Sequence, residues 1–351
     1  MRRLLLLCFA LTACATPVLV ASPEDPDGGA APDTVDAGLP FDAGLVIDAG
    51  TPDAGRGPPY PIVLSHGFFG FDTFAGLDFF TYYFEVKDTL AAHGELEVFT
   101  PTVDPFNDSA TRSLQLERQI QAILARTGAA KVNVIAHSQG GLDTRMVAFR
   151  HPEWIASVTT ISTPHRGTPV SDLVSQGLQD PKARAAVDAL VNAAAPPLWS
   201  DANRQSSITA ALAQFETGRM TDFNAQFPDR PGVAYFSVAG RSALRRAPDD
   251  CETSDGSRPP FIKAFDGTVD PLSAMLDSTA IIISPNLLDP VAHDGLVPVQ
   301  SAKWGTFLGC VPADHLDEIG QIGGLPPGLG NDWRHKPFYV SLVELLRARG
   351  Y

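Results

Sequence analysis

Ser138 lies at the centre of Ala136-His137-Ser138-Gln139-Gly140, directly after the apolar run Val132-Asn133-Val134-Ile135. A buried strand that runs into a small residue, x, Ser, x and glycine describes a turn that presents a serine hydroxyl as a nucleophile. The turn is so sharp that a large side chain two residues to either side would strike the neighbouring strand or helix. Ala136 and Gly140 avoid that clash, with alanine standing where glycine is commoner. A second apolar run, Pro61-Ile62-Val63-Leu64, ends in the loop Ser65-His66-Gly67-Phe68-Phe69-Gly70. A serine that attacks a carbonyl carbon creates a negative oxygen, which needs two N–H donors already aimed at it. Gln139 is expected to supply one, at the favourable end of the helix it begins, and Phe68 the other, from the glycine-bent loop. The chemistry implied is acyl transfer to water through an acyl-enzyme.

Such a serine needs a general base and an acid to orient it. Eight histidines are available, at 66, 93, 137, 151, 165, 293, 315 and 335. His66 and His137 flank the two motifs and are expected to pack or hydrogen-bond within them. His93 and His151 fall at the ends of expected helices, where a histidine needs no special role. In the chain order Ser, acid, His, the remaining candidates are His165, His293, His315 and His335. An Asp-Gly turn, Asp294-Gly295, precedes Ala313-Asp314-His315-Leu316-Asp317-Glu318. Asp294 is the expected acid and His315 the expected base, with Asp289 and His335 as the alternatives.

The elements that must position these groups alternate along the chain. Strand-like runs near 61–65, 96–100, 131–136, 155–161, 233–239 and 280–284 are separated by helical stretches. That alternation implies an α/β fold with a mostly parallel central sheet flanked by helices. Leu116, Ile120, Ile123 and Leu124 form one apolar stripe on the helix expected after Ser109. The aromatic cluster Phe68, Phe69, Phe71, Phe74, Phe79, Phe80, Tyr82, Tyr83 and Phe84 reads mostly as core, with part of it available to line an acyl pocket.

From Tyr60 onward the chain resembles the bacterial true lipases typified by the secreted Pseudomonas and Burkholderia enzymes. The resemblance rests on Tyr60–Gly67, Thr127–Gly141, Ser157–Gly167, Asp294–Val297 and His315–Ile319, in that order. It implies an α/β-hydrolase fold and triacylglycerol hydrolysis, and it assigns Ser138, Asp294 and His315 as the triad, with Phe68 and Gln139 at the oxyanion hole. It also implies a structural Ca2+ held by the carboxylates of Asp270 and Asp317 and the carbonyls of Gln321 and Leu325, and a dedicated foldase chaperone. Oxygen donors in irregular loops suit a hard cation of this kind. The segment from about 170 to 215 is Ala-rich and contains Pro196-Pro197-Leu198-Trp199; by position and resemblance it is a lid. A carboxylesterase or phospholipase on the same fold is the alternative activity, since a triad does not encode acyl length. An inactive surface-anchored binding protein is the more remote one.

Met1-Arg2-Arg3 and the apolar run Leu4–Ala10 form a short export signal that leads into Leu11-Thr12-Ala13-Cys14. This resembles a lipoprotein cleavage box, so residues 1–14 are expected to end at a lipidated Cys14. Such a protein would be exported and anchored in the outer membrane or at the cell surface; secretion is the alternative. Residues 15–59 repeat Asp-Ala-Gly at 36–38, 42–44, 48–50 and 53–55 and carry few bulky side chains. They are expected to form a disordered tether before a catalytic domain at 60–351. Eight acidic residues against three basic ones in residues 1–60 contribute to a net charge of −14, and no basic stripe appears, which argues against nucleic acid as a partner. With Cys8 removed and Cys14 acylated, Cys251 and Cys310 are the remaining pair and are expected to form a disulfide in an oxidising compartment. The true lipases place their second cysteine shortly after the Asp-Gly pair, where this chain has Gln300.

Overall fold

In a computed structural model, the described residues are 55–68, 82–177, 208–242, 250–254, 256–286, 288–321, 323–328 and 330–351. The expected signal and most of the expected tether (1–54), much of the aromatic cluster (69–81) and the centre of the expected lid (178–207) lie outside them.

The elements are β1 Ile62–Ser65, α1 Val86–Ala92, β2 Val98–Phe99, α2 Ser109–Thr127, β3 Val132–His137, α3 Gln139–Arg150 and β4 Ile155–Ile161. They are followed by α4 Pro169–Gly177, α5 Ile208–Ala213, α6 Thr217–Gln226, β5 Ala234–Gly240, α7 Asp277–Ile283, β6 Thr306–Val311 and α8 His335–Ala348. The strands form one sheet in the order β2-β1-β3-β4-β5-β6, and every pairing among them is parallel.

Alternation along the strands divides the core between the two faces of the sheet. Ile62, Leu64 and Ile135 pack with Val86 and Leu90 of α1 and with Tyr339, Leu342 and Val343 of α8. Val63, Val132, Val134 and Ala136 pack with Leu116, Ile120 and Ile123 of α2 and Val147 of α3. The stripe read from α2 is therefore its buried face, with Leu124 partly buried at the margin. Asp108 caps this helix by accepting from the Thr111 N–H at 2.9 Å, and Gly128 ends it at φ +64°.

Two assignments from the sequence change. The Ala280–Ile283 run is not a strand but the end of helix α7, with Ile283 buried and Ile281 69% exposed. Three consecutive β-branched residues favour a strand locally, but among the described residues no strand pairs with this segment, and only one helical face is buried. The last strand is instead β6, which pairs with β5 from Phe236↔Thr306 to Gly240↔Val311. The folded chain also begins before residue 60. The Arg56 N–H donates to Gly128 O at 2.6 Å, the Ala130 N–H donates to Arg56 O at 2.9 Å, and the Arg56 guanidinium pairs with Glu97.

Cys251 and Cys310 are joined, which ties the end of β6 to the loop at 251 across 59 residues of sequence. The bond packs with Ala239, Ala292, Val297 and Val299, beneath the turn that carries Asp294. Register brings the carboxyl ends of the strands to one edge: Ser65 pairs with Ala136, His137 with Ile161, Ile161 with Val238 and Gly240 with Val311. The loops after β1, β3 and β6 all emerge at that edge, those after β1 and β3 as neighbours, where open parallel sheets place their sites.

Candidate active site

Ser138 stands between β3 and α3 at φ +53° and ψ −129°, a conformation that a residue with a side chain rarely adopts. The surroundings hold it there. The Ser138 N–H donates to Ile161 O at 2.9 Å, and the Thr163 hydroxyl donates to Ser138 O at 2.7 Å. A Cβ at Gly140 would lie 2.5 Å from Ser65 O and 2.6 Å from His66 O, so the small residue expected there is a steric necessity. Gly141 is equally confined, by the side chain of Thr163.

The loop after β1 runs directly against the serine. A Cβ at Gly67 would lie 2.6 Å from Ser138 Cβ, and Phe68, half-buried, sits edge-on to Phe106 with centroids 6.5 Å apart. Three bonds hold the loop. The His66 Nδ1–H donates to Gly67 O at 3.0 Å, His66 Nε2 accepts from the Val103 N–H at 3.0 Å, and Arg112 Nη2 donates to His66 O at 2.7 Å. Burial, and then the charge of Arg112, push the His66 imidazole down to about 3, so it stays neutral and structural. Arg112 is itself buried against Asp143 at 2.7 Å, and burial raises that carboxyl to about 6 in spite of the arginine. Gln139 opens α3, and its side chain donates to Asn107 O at 2.8 Å, which anchors the helix end from which its backbone N–H projects.

His315 and Asp294 meet behind this elbow. The His315 Nδ1–H donates to Asp294 Oδ2 at 2.7 Å, and the His315 N–H donates to Asp294 O at 2.9 Å. Asp294 Oδ1 accepts from the N–H groups of Leu296 at 2.8 Å and Val297 at 2.6 Å. Burial acts to raise this carboxyl, but the charge and hydrogen bond of His315 and the two backbone donors outweigh it and hold it below its ordinary value. The His315 ring lies 4.4 Å from that of His137, the residue before the serine. Neither alternative shares this place: Asp289 is exposed, and the His335 Nε2–H donates to Phe84 O at 2.9 Å at the start of α8. His165 is buried between Arg145 and Thr160, and His293 accepts from the Gly295 N–H at 2.9 Å.

Glu318, three residues beyond His315, is a further acid at the site. It is fully buried, receives Ser162 Oγ–H on Oε1, and faces His137 Nε2 at 2.9 Å through Oε2. Burial, and then the nearby Asp294, raise this carboxyl well above its ordinary range. Below the histidine loop, carboxylate oxygens of Asp270, Asp314 and Asp317 lie within 4.8 Å of one another. Asp314 joins the two carboxylates expected there, and its oxygens accept from the N–H groups of Leu316 and Asp317 at 2.9 Å and of Ser273 at 2.8 Å. Burial, then Asp314, then Asp317 push Asp270 up to about 8; burial and Asp314 push Asp317 up to about 7. Three crowded carboxylates at such a cost fit a cation between them, and the donor set is the oxygen-only one a calcium ion takes. Gln321, in the turn that follows, donates through Nε2 to Tyr82 O at 2.6 Å, and Leu325 beyond it is exposed.

Comparison with known proteins agrees with this architecture. The family described as alpha/beta hydrolase fold matches residues 60–225. A triacylglycerol lipase from Vibrio cholerae is 34% identical over 311 residues, which cover 82% of this chain and 85% of that protein. One from Burkholderia plantarii is 31% identical over 303 residues, covering 76% of this chain and 80% of that protein. Among solved structures, EstA from Clostridium botulinum shares the fold at a TM-score of 0.53 and 20% identity, covering 83% of this chain and 88% of that one. With its parallel sheet, serine elbow and buried Asp–His pair gathered at one edge, the chain belongs to the triacylglycerol lipase family of the α/β-hydrolase fold and is a serine ester hydrolase.

Proposed function

We propose that this protein hydrolyses triacylglycerol at a lipid–water interface, with Ser138 as nucleophile, His315 as base and Asp294 as the acid that orients it. The observation that carries the reading is the His315–Asp294 pair at 2.7 Å, with its imidazole packed against the residue before Ser138. The Nδ1–H is committed to Asp294, which leaves Nε2 free to accept. Ser138 Oγ bonds to the ester carbonyl carbon as its proton passes to His315 Nε2, and the carbonyl oxygen gains the negative charge. The N–H groups of Phe68 and Gln139 receive that charge. Collapse breaks the bond to the alcohol oxygen, which leaves with the proton from His315. Water then repeats the sequence on the acyl-serine, releasing the fatty acid and restoring Ser138. Rates on p-nitrophenyl esters of increasing chain length, measured beside emulsified triolein, test the substrate class. Hydrolysis of triolein is expected; activity confined to short soluble esters would make the protein a carboxylesterase.

The carboxylates of Asp270 and Asp317, together with Asp314 and the carbonyls of Gln321 and Leu325, would hold a structural calcium ion, which supplies charge neutralisation and no chemistry at the ester. Asp317 lies two residues beyond the base, so a cation bound there pins the loop that carries His315. A base misplaced by about 1 Å loses on the order of 10²-fold in rate. Chelation with EDTA is therefore expected to lower activity by about that factor and to lower the thermal midpoint. Calcium should restore both better than magnesium, whose octahedral preference suits irregular loops poorly, and Asp317→Ala should mimic the chelator. Equal activity and stability after exhaustive chelation would remove the ion from this account.

The lipid anchor at Cys14, with outer-membrane or cell-surface placement, and a dedicated foldase complete the reading. It is supported by the short signal and cysteine box at the start of the chain and by the resemblance to secreted lipases. Cys14→Ser is expected to release an active enzyme from the membrane fraction, because several acyl chains are needed for stable attachment and the substitution removes them all. Unchanged attachment of that variant would show that something else holds the protein.

A further inference from the structure

Tyr82 has no part in the chemistry above, yet its hydroxyl sits where three parts of the site meet. It lies 2.7 Å from His137 Nδ1 and packs directly against Gly67. The approach to Gly67 is tight: a Cβ there would lie 2.6 Å from the Tyr82 oxygen, as well as 2.6 Å from Ser138 Cβ. A phenol O–H is the natural donor to an imidazole nitrogen, so the Tyr82 proton goes to His137 Nδ1. This assigns the imidazole proton to Nε2, which faces Glu318 Oε2 at 2.9 Å. A line of contacts thus runs from the oxyanion loop through Tyr82 and the residue before the nucleophile to the loop that carries the base.

The backbone of the same residue is fastened from the other side. Gln321 Nε2 donates to Tyr82 O at 2.6 Å, and the Phe84 N–H donates to Ile319 O at 3.0 Å. The ring is buried, edge-on to Tyr83 at 5.3 Å and tilted against His66 at 5.6 Å. A phenylalanine would fill the same space without a hydroxyl to desolvate, so the hydroxyl is accounted for by its bond to His137. Tyr83 acts elsewhere. Its hydroxyl donates to Ser65 O at 2.7 Å and accepts from the His137 N–H at 3.0 Å, which joins the ends of β1 and β3.

We propose that Tyr82 is a positioning residue of the oxyanion hole: its hydroxyl, held by His137 and packed against Gly67, fixes the Gly67 peptide, and with it the direction of the adjoining Phe68 N–H, against the elbow of Ser138. The inference rests on the reading of Phe68 as an oxyanion donor. Donors of this kind act only within about 2.7–3.1 Å of the developing charge, so a loop freed of this contact loses transition-state binding rather than substrate binding.

The test is Tyr82→Phe, with Tyr339→Phe as the control. The Tyr339 hydroxyl is buried in the same aromatic stack, 5.7 Å edge-on to Tyr83, and among the described residues it has no hydrogen-bond partner. For Tyr82→Phe, kcat on p-nitrophenyl butyrate is expected to fall about 10- to 100-fold, with KM changed less than about twofold. A trifluoromethyl ketone forms a hemiketal with Ser138 whose oxygen occupies the oxyanion hole. Its inhibition constant should rise by the factor that kcat/KM loses, while inhibition by the fatty-acid product stays unchanged. Tyr339→Phe should match the wild type in every measurement. A folded Tyr82→Phe with wild-type kcat overturns the proposal, as does a loss that appears in KM and product binding but not in the ketone constant. If Tyr82→Phe does not fold, His137→Gln carries the test by removing the ring nitrogen that receives the Tyr82 proton. The same kcat and ketone pattern is then expected, and a folded variant at full rate refutes the idea. An inactive Ser138→Ala beside a fully active Tyr82→Phe would sink this inference alone; an active Ser138→Ala would sink the serine mechanism beneath it.

Discussion

Ser138→Ala is expected to abolish ester hydrolysis and leave the fold intact. The nucleophile is the atom to which the acyl group bonds, so its loss removes the covalent route entirely. What remains is the contribution of the oxyanion donors and substrate binding, about 10³- to 10⁴-fold over water, which is many orders of magnitude below a working triad. The fold should tolerate the change because the elbow is held through the backbone, by the bonds to Ile161 and Thr163, and because alanine keeps the same Cβ. The left-handed φ of +53° strains either residue alike. A kcat of one tenth of the wild type or more, from a variant with an unchanged thermal midpoint, would show that Ser138 is not the nucleophile.

Asp294→Asn should cost about 10⁴-fold in kcat, and Asp289→Asn should cost nothing measurable. The reason lies in the donors around Asp294. One oxygen already accepts two backbone N–H groups and the other accepts His315 Nδ1–H, so an asparagine NH2 meets a donor in either orientation. The least costly escape is for His315 to shift its proton to Nε2, the tautomer that cannot deprotonate the serine. The depressed carboxyl adds a pH dependence with a definite sign. The pair contributes stability above the ordinary aspartate range and loses it as pH falls through the lower folded value. Equal losses in the two variants would mean that the acid had been assigned wrongly.

Much of the site was legible because its parts are local. The elbow needs small residues beside a serine, and the constraint at Gly140 is the one those residue types imply. The Asp294-Gly295 turn and the His315 loop each carry their own signature, and the alternation of strands and helices implied the sheet. The Ile281–Ile283 run misled because its strand preference is a local property, whereas a strand needs a neighbour. β6 escaped because its first residues, after Trp304-Gly305, are exposed at the edge of the sheet and only Leu308 to Val311 are buried. Tyr82, Arg112 and Glu318 carried no readable signal. Each meets its partner across a long stretch of chain, Glu318 lying 181 residues from His137, and only the folded sheet brings them together.

The most direct measurement is the site of covalent capture by a fluorophosphonate. Attack by Ser138 Oγ on the phosphorus expels fluoride and leaves a stable phosphonyl-serine, so the probe marks the activated nucleophile itself. Peptide mapping of the labelled protein is expected to place the whole adduct on the peptide that contains Ser138, with labelling lost in Ser138→Ala and greatly slowed in Asp294→Asn. Hydrolysis of esters by a protein that takes no label, or label on another residue with Ser138 unmodified, would contradict the account.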